Sequence, residues 1–197
     1  MTNGKRTIHL YCGIRIKAYA STSVSFTNCS IQKITEAAVQ PDPKLMIPSL
    51  LWNDLLADLH RRTRGRHESG AFLLGTKSEA RREVQHIVYY DDLDPGAYRT
   101  GVVILYAESF GPLWEICRAK SLSVVADIHV HPRQAWQSEA DRRNPMIAQT
   151  GHLALILPWF ARPPVNFGEV GLYEYLGNHQ WRNFSGRSVG RYLVFNP

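Results

Sequence analysis

An α+β fold, a mixed β-sheet with helices packed on it, is predicted by three observations. Short apolar strand-like runs interleave with amphipathic helical stretches along the chain. A late stretch, "EVGLYEYLGNHQWRNF", reads as a hairpin of adjacent strands with "GN" as its turn. The 197 residues, 44% apolar and 20% charged, suit one ordinary globular domain without low-complexity segments or internal repeats.

The elements follow in order. Residues 1–45 read as an N-terminal extension, in which "RTIHLYCGIRIKAY" and "STSVSFTNC" alternate well enough to be two strands before "QPDPK" punctuates the chain. Residues 46–197 read as the main domain. In "IPSLLWNDLLADLHRRTRG" the pattern turns helical: Leu51, Leu55 and Leu59 fall four apart, Trp52 and Leu56 widen the stripe, and Pro48 and Gly65 mark its ends. "GAFLLG", "REVQHIVYYDD" and "GVVILY" read as three strands, and "AESFGPLWEICRAKS" as a helix with Leu113, Ile116 and Cys117 inward. Then come a strand in "LSVVADIHVH", a short helix in "SEADRRNPMIAQT" and a buried strand in "HLALILPWF".

Composition excludes several classes. The longest apolar run, Leu153 to Ala161, contains a proline and is far shorter than the ~20 residues of a membrane helix, so no membrane partner is expected. The N-terminus lacks a secretory pattern, and three cysteines (Cys12, Cys29, Cys117) without a CxxC pair suggest neither a disulfide framework nor a cysteine-ligated metal, so the cytoplasm is the expected compartment. The net charge of +6 is concentrated in "HRRTRGRH" (His60 to His67), read as a solvated helix end. No nucleic-acid motif accompanies it, and no specific nucleic-acid partner is expected.

The chemistry concentrates in "ADIHVHPRQAWQSEAD". With a side-chain period of two, Ala126, Ile128 and Val130 share one face, the core face, and Asp127, His129 and His131 share the other. Pro132 ends the ladder because it cannot donate a backbone hydrogen bond. Ser138 and Asp141 then form a helix-start signature, which puts the Asp141 carboxylate in the first turn, able to look back at the strand end. Two histidines and one carboxylate make the three-ligand set of a catalytic zinc site. Such a site also needs a proton carrier that is not a ligand, and Glu68 in "HESGAFLLG", at the start of an apolar strand, is the candidate. Each feature singly has a plain structural reading; the ordered conjunction of Glu, HxHP and SxxD points to a metal site. Asp127 is read as a solvent-facing acid rather than a hydrogen-bond partner behind the ligands, His86 and His152 as core or rim histidines, and Trp136 as a loop aromatic that either gates the cleft or contacts substrate, or simply packs.

That conjunction resembles the JAB/MPN+ (JAMM) metalloprotease domain, over roughly Ile47 to Asn183. The resemblance implies a curved mixed sheet flanked by helices, like the cytidine deaminase core. It implies one Zn2+ held by His129, His131 and Asp141, general acid/base work by Glu68, and stabilisation of the developing oxyanion by Ser138. The implied reaction is hydrolysis of the peptide or isopeptide bond at the C-terminus of a ubiquitin-like protein. Bacterial stand-alone members of the family, which the compact size resembles, are associated with E1- and E2-like enzymes in antiphage defence, so these are the implied partners. Two departures stand out: the stretch between Pro132 and Ser138 is one residue shorter than usual, which could displace Ser138 and Asp141, and Val130 replaces a serine or threonine. The rival reading is a non-catalytic MPN-like interaction scaffold. An amidohydrolase barrel, the other common home of an HxH pair, typically needs ~250 residues.

Overall fold

The computed structural model describes residues 44–78 and 81–197. The expected strands of residues 1–43, with Cys12 and Cys29, lie outside them. The described chain is α+β, built on one eight-stranded mixed sheet in the order β7-β6-β5-β4-β2-β3-β1-β8. The strands are β1 (Leu45–Pro48), β2 (Gly70–Lys77), β3 (Arg82–Tyr89), β4 (Ser123–Val130), β5 (Leu153–Leu157), β6 (Gly171–Gly177), β7 (Gln180–Asn183) and β8 (Leu193–Asn196). The helices are α1 (Ser49–Thr63), α2 (Tyr90–Leu93), α3 (Phe110–Lys120) and α4 (Glu139–Arg143). The sheet curls: Lys44, just before β1, reaches Glu174 of β6 with its Nζ 3.2 Å from Oε1, although four strands separate β1 and β6 in the sheet order. Among the described residues no helix is long and apolar enough to cross a membrane.

The centre of the sheet is buried on both faces, and β2 shows why its sequence is continuously apolar. Ala71 and Leu73 face the cluster under α1 with Leu55, Leu59 and Ile128, while Phe72 and Leu74 face the cluster under α3 with Tyr90 and Leu113. Of the predicted stripe, α1 buries Trp52, Leu55 and Leu59 and half-buries Leu51 and Leu56. Burying each leucine contributes about 1.5–3 kcal/mol.

Several expectations are corrected. "REVQHIVYYDD" is a strand only to Tyr89, since the chain turns into α2 at Tyr90, which packs under Phe72. "GVVILY" joins no ladder: Gly101 O accepts the Glu68 N–H and the Ile104 N–H donates to Ala97 O, so its backbone serves a loop. The helix at "SEADRRNPMIAQT" stops at Arg143, because Pro145 disfavours helical geometry at Asn144. The strand at "HLALILPWF" stops at Leu157, before Pro158. In the β6–β7 hairpin the two loop residues are Asn178 and His179, with φ of 50° and 57°, rather than the Gly-Asn pair. Strands β1 and β8, paired in parallel from Leu45↔Leu193 to Pro48↔Asn196, carry no distinct periodic signal in their four residues each. The basic run is not simply solvated: Arg62 lies over the Tyr89 ring at 3.9 Å and bonds Asp91 and Asp92, pinning α1 to α2.

Candidate metal centre

Register brings the site together. β2 and β4 are antiparallel with Gly70 opposite His129, and the Val130 N–H donates to Ser69 O, so two further steps set Glu68 opposite His131. Chain separation is thereby erased by one ladder. Glu68 is then fixed from the other side. Its N–H donates to Gly101 O, and its carboxylate accepts the Val103 N–H. Two residues on, the Tyr98 hydroxyl sits 3.2 Å from both Gly70 N and Gly70 O. Glycine is required at position 70: a Cβ there would stand 2.7 Å from Ile128 O and against the Tyr90 ring.

The second half of the site comes from a capping box. Ser138 begins α4, its Oγ accepting the Asp141 N–H at 3.1 Å while Asp141 Oδ2 accepts the Ser138 N–H at 2.7 Å. The cap orients the carboxylate toward the strand end. Asp141 Oδ1 stands 3.4 Å from His129 Nε2, and Oδ2 stands 3.3 Å from His131 Nε2. The short loop between Pro132 and Ser138 leaves Asp141 within reach of both histidines.

The three side chains form a group that could hold a metal ion. Their ligand atoms all lie within 4.8 Å of one another, and the two Nε2 atoms are 2.9 Å apart. A tetrahedral ion with ~2.0–2.1 Å bonds separates its ligands by roughly 3.3 Å, close to these spacings. Two imidazole nitrogens turned toward each other and toward one carboxylate, each only 8–9% exposed as residues, fit a shared cation. The donor set of two imidazoles and a carboxylate suits a zinc-like ion.

Glu68 stands beside this group without joining it, its Oε1 3.9 Å from His131 Nε2 and its side chain 16% exposed. Burial raises its carboxyl above the ordinary value, against the pull of the two imidazoles. Asp141 goes the other way. Burial would raise it, but hydrogen bonds from His129 and His131 hold it well below the usual carboxylate range. Burial disfavours a charged His129, yet Asp141 outweighs this and raises it. Glu68, His129, Ser138 and Asp141 border an apolar cleft of about 620 Å³, with Val102, Ile104, Phe110 and Met146 among its walls.

Asp127 is corrected. It shares the face of His129 as expected, but it is 3% exposed and accepts the His152 Nε2–H at 2.6 Å and the Tyr90 hydroxyl at 3.4 Å. The signal lay in the strand itself, since a charged residue inside an apolar run must find a partner. His152 is the buried histidine predicted, at 6% exposure, and His86 is a rim histidine. Trp136 is 74% exposed and does not line this cleft; it borders separate hollows with Trp159 and with Trp181.

Sequence reasoning missed the support behind His131. After Leu157 the chain makes a left-handed turn in which Trp159, Phe160 and Ala161 have φ of 53°, 56° and 53°. Such geometry costs non-glycine residues on the order of 1–3 kcal/mol each. It delivers the Phe160 N–H to His131 O at 2.8 Å and the Trp159 N–H to Arg133 O at 2.9 Å.

Comparison with known proteins supplies the family. No family model matches the chain. A protein of Sinorhizobium fredii (strain NBRC 101917 / NGR234), named "Probable metalloprotease y4jG", is 30% identical over 133 residues, covering 65% of this chain and 79% of that protein. Among solved structures, protein DSY2949 from Desulfitobacterium hafniense has a TM-score of 0.56 at 15% identity, covering 77% of this chain and 92% of its own. A protein from Salinibacter ruber (strain DSM 13855) has a TM-score of 0.50 at 16% identity, covering 70% and 87%. These two likenesses are of fold alone. The identity to the Sinorhizobium protein, together with a His-His-Asp group suited to a metal ion, places this chain in a metalloprotease family.

Proposed function

We propose that the chain is a zinc-dependent peptidase of the JAB/MPN+ (JAMM) type, cleaving the peptide or isopeptide bond that follows the C-terminus of a ubiquitin-like protein. One observation carries the reading: a shielded carboxylate, Glu68, held 3.9 Å from a ligand-type imidazole yet outside the His129, His131 and Asp141 group. Those three residues would hold the ion, whose Lewis acidity when bound brings the ionisation of water to near neutrality.

The chain's own residues do the rest. Glu68 takes a proton from the attacking water and returns it to the leaving amine, and its burial-raised carboxyl suits both transfers. Ser138 uses an oxygen lone pair as the helix cap, so its hydroxyl hydrogen is left to donate to the carbonyl oxygen as charge develops there. Apolar cleft walls exclude competing water. The stretch 102–106, which joins no ladder, supports a narrow tail as substrate: Val102, Ile104 and Tyr106 are 50%, 37% and 64% exposed, and a tail could lie along it as an added strand. E1- and E2-like enzymes, as in antiphage conjugation systems, are the proposed partners.

The test is cleavage of a ubiquitin-like protein–target conjugate, read by mass spectrometry, with metal content measured alongside. Wild type should cleave, while chelated protein and Glu68→Gln should lose about 10²–10⁴-fold in rate, the variant keeping its zinc. Equal turnover in all three sinks the mechanism. A folded, metal-free, inactive wild type would indicate the scaffold instead.

A further inference from the structure

We propose that His60 is a positioning residue for the metal ligand His131, acting through the left-handed turn at Trp159–Ala161; the proposal rests on the metal reading of the site above. His131 lies one residue past the end of β4, and the next residue, Pro132, has no N–H to extend the ladder. A ligand at a strand end needs its backbone held by something else. The His131 N–H donates to Leu157 O at 2.9 Å, and its carbonyl accepts the Phe160 N–H at 2.8 Å.

The second bond exists only because the chain adopts three consecutive left-handed residues, none of them glycine. Such a conformation persists where its surroundings over-determine it. The Phe160 peptide groups are engaged on both sides: the N–H holds His131, and the carbonyl accepts Nδ1–H of His60 at 2.9 Å. A carbonyl only accepts, so the proton belongs on Nδ1. His60 occupies the last turn of α1, directly after the fully buried Leu59. A rigid, core-packed helix is thereby coupled to the backbone of a ligand 71 positions away in the chain, through one strained turn.

The experiment uses the full chain loaded with cobalt(II), whose visible bands report ligand geometry. His60→Leu and His60→Ala remove the donor; His60→Asn keeps one, its amide nitrogen standing near the place of Nδ1. Cobalt affinity by chelator competition, the visible spectrum and the melting temperature of the metal-free protein are measured for each. Affinity should fall about tenfold and the bands should change in the Leu and Ala variants, with both restored in the Asn variant. Affinity must follow the donor and not the metal-free melting temperature. Should His60→Leu fail to fold, His60→Ala carries the same comparison. Wild-type affinity and spectrum in a donor-less variant overturn the proposal, as does an equal loss in all three. A wild type that takes up no cobalt removes the metal reading itself, and this proposal with it.

Discussion

His152 Nε2 lies 2.6 Å from Asp127 Oδ1, and both side chains are 4% exposed. This pair ties the start of β5 to the strand that carries His129, two residues from the metal group. Asp127 is almost wholly shielded from solvent and has the Tyr90 hydroxyl as its only other described side-chain partner. Removing His152 therefore strands a buried carboxylate.

His152→Leu should destabilise the protein by about 3–5 kcal/mol, the cost of leaving one member of a buried pair alone. In a chain of this size that is a fall in melting temperature of roughly 6–20 °C. Joining it with Asp127→Asn should recover part of the loss, because the amide is cheaper to bury than the acid. A melting curve of His152→Leu within a degree or two of wild type would show that the pair contributes nothing to stability.

The pH dependence of turnover follows from Glu68. In the mechanism proposed above its acting form is the carboxylate, and burial disfavours that form, so the proton is retained to higher pH than on an ordinary glutamate. Activity should therefore fail on the acid side at a pH above the usual glutamate range and recover as pH rises through the elevated value. The kcat/KM profile measures this limb. A limb at or below the ordinary glutamate position contradicts the assignment.

Ser138 caps α4, and the proposed mechanism gives it a second duty as an oxyanion donor that can be separated from the first. Ser138→Ala removes the cap of α4 and should cost about 1 kcal/mol, or roughly 2–4 °C. It should also lower kcat by about 10²-fold through the lost donor. Ser138→Asp keeps an acceptor for the Asp141 N–H but supplies no hydroxyl, so it should preserve stability better than Ala without recovering the rate. Recovery of both would assign Ser138 to capping alone.

The legible part of this protein was local. An alternation of two placed Asp127, His129 and His131 on one face, and a spacing of three set the Ser138–Asp141 box; both rest on geometry within a few residues, which any folded context preserves. The stripe of α1 and the apolar run of β2 were readable for the same reason. Whether the polar face of β4 met solvent was not a local matter. It depended on α2 and β5 arriving over it, which is why Asp127 belongs to a buried pair rather than to the surface.

The sequence alone determined which residues have the chemistry for a metal: two imidazoles, a capping aspartate and a glutamate at a strand start. Tertiary structure decided how they meet. The β2–β4 register sets Glu68 against His131, Gly101 and Val103 hold it with backbone groups no side-chain pattern reveals, and a left-handed turn called up by no glycine supports the His131 backbone. Local propensity spans a few residues, whereas these contacts join segments separated by tens of residues, so only packing of the whole sheet selects them.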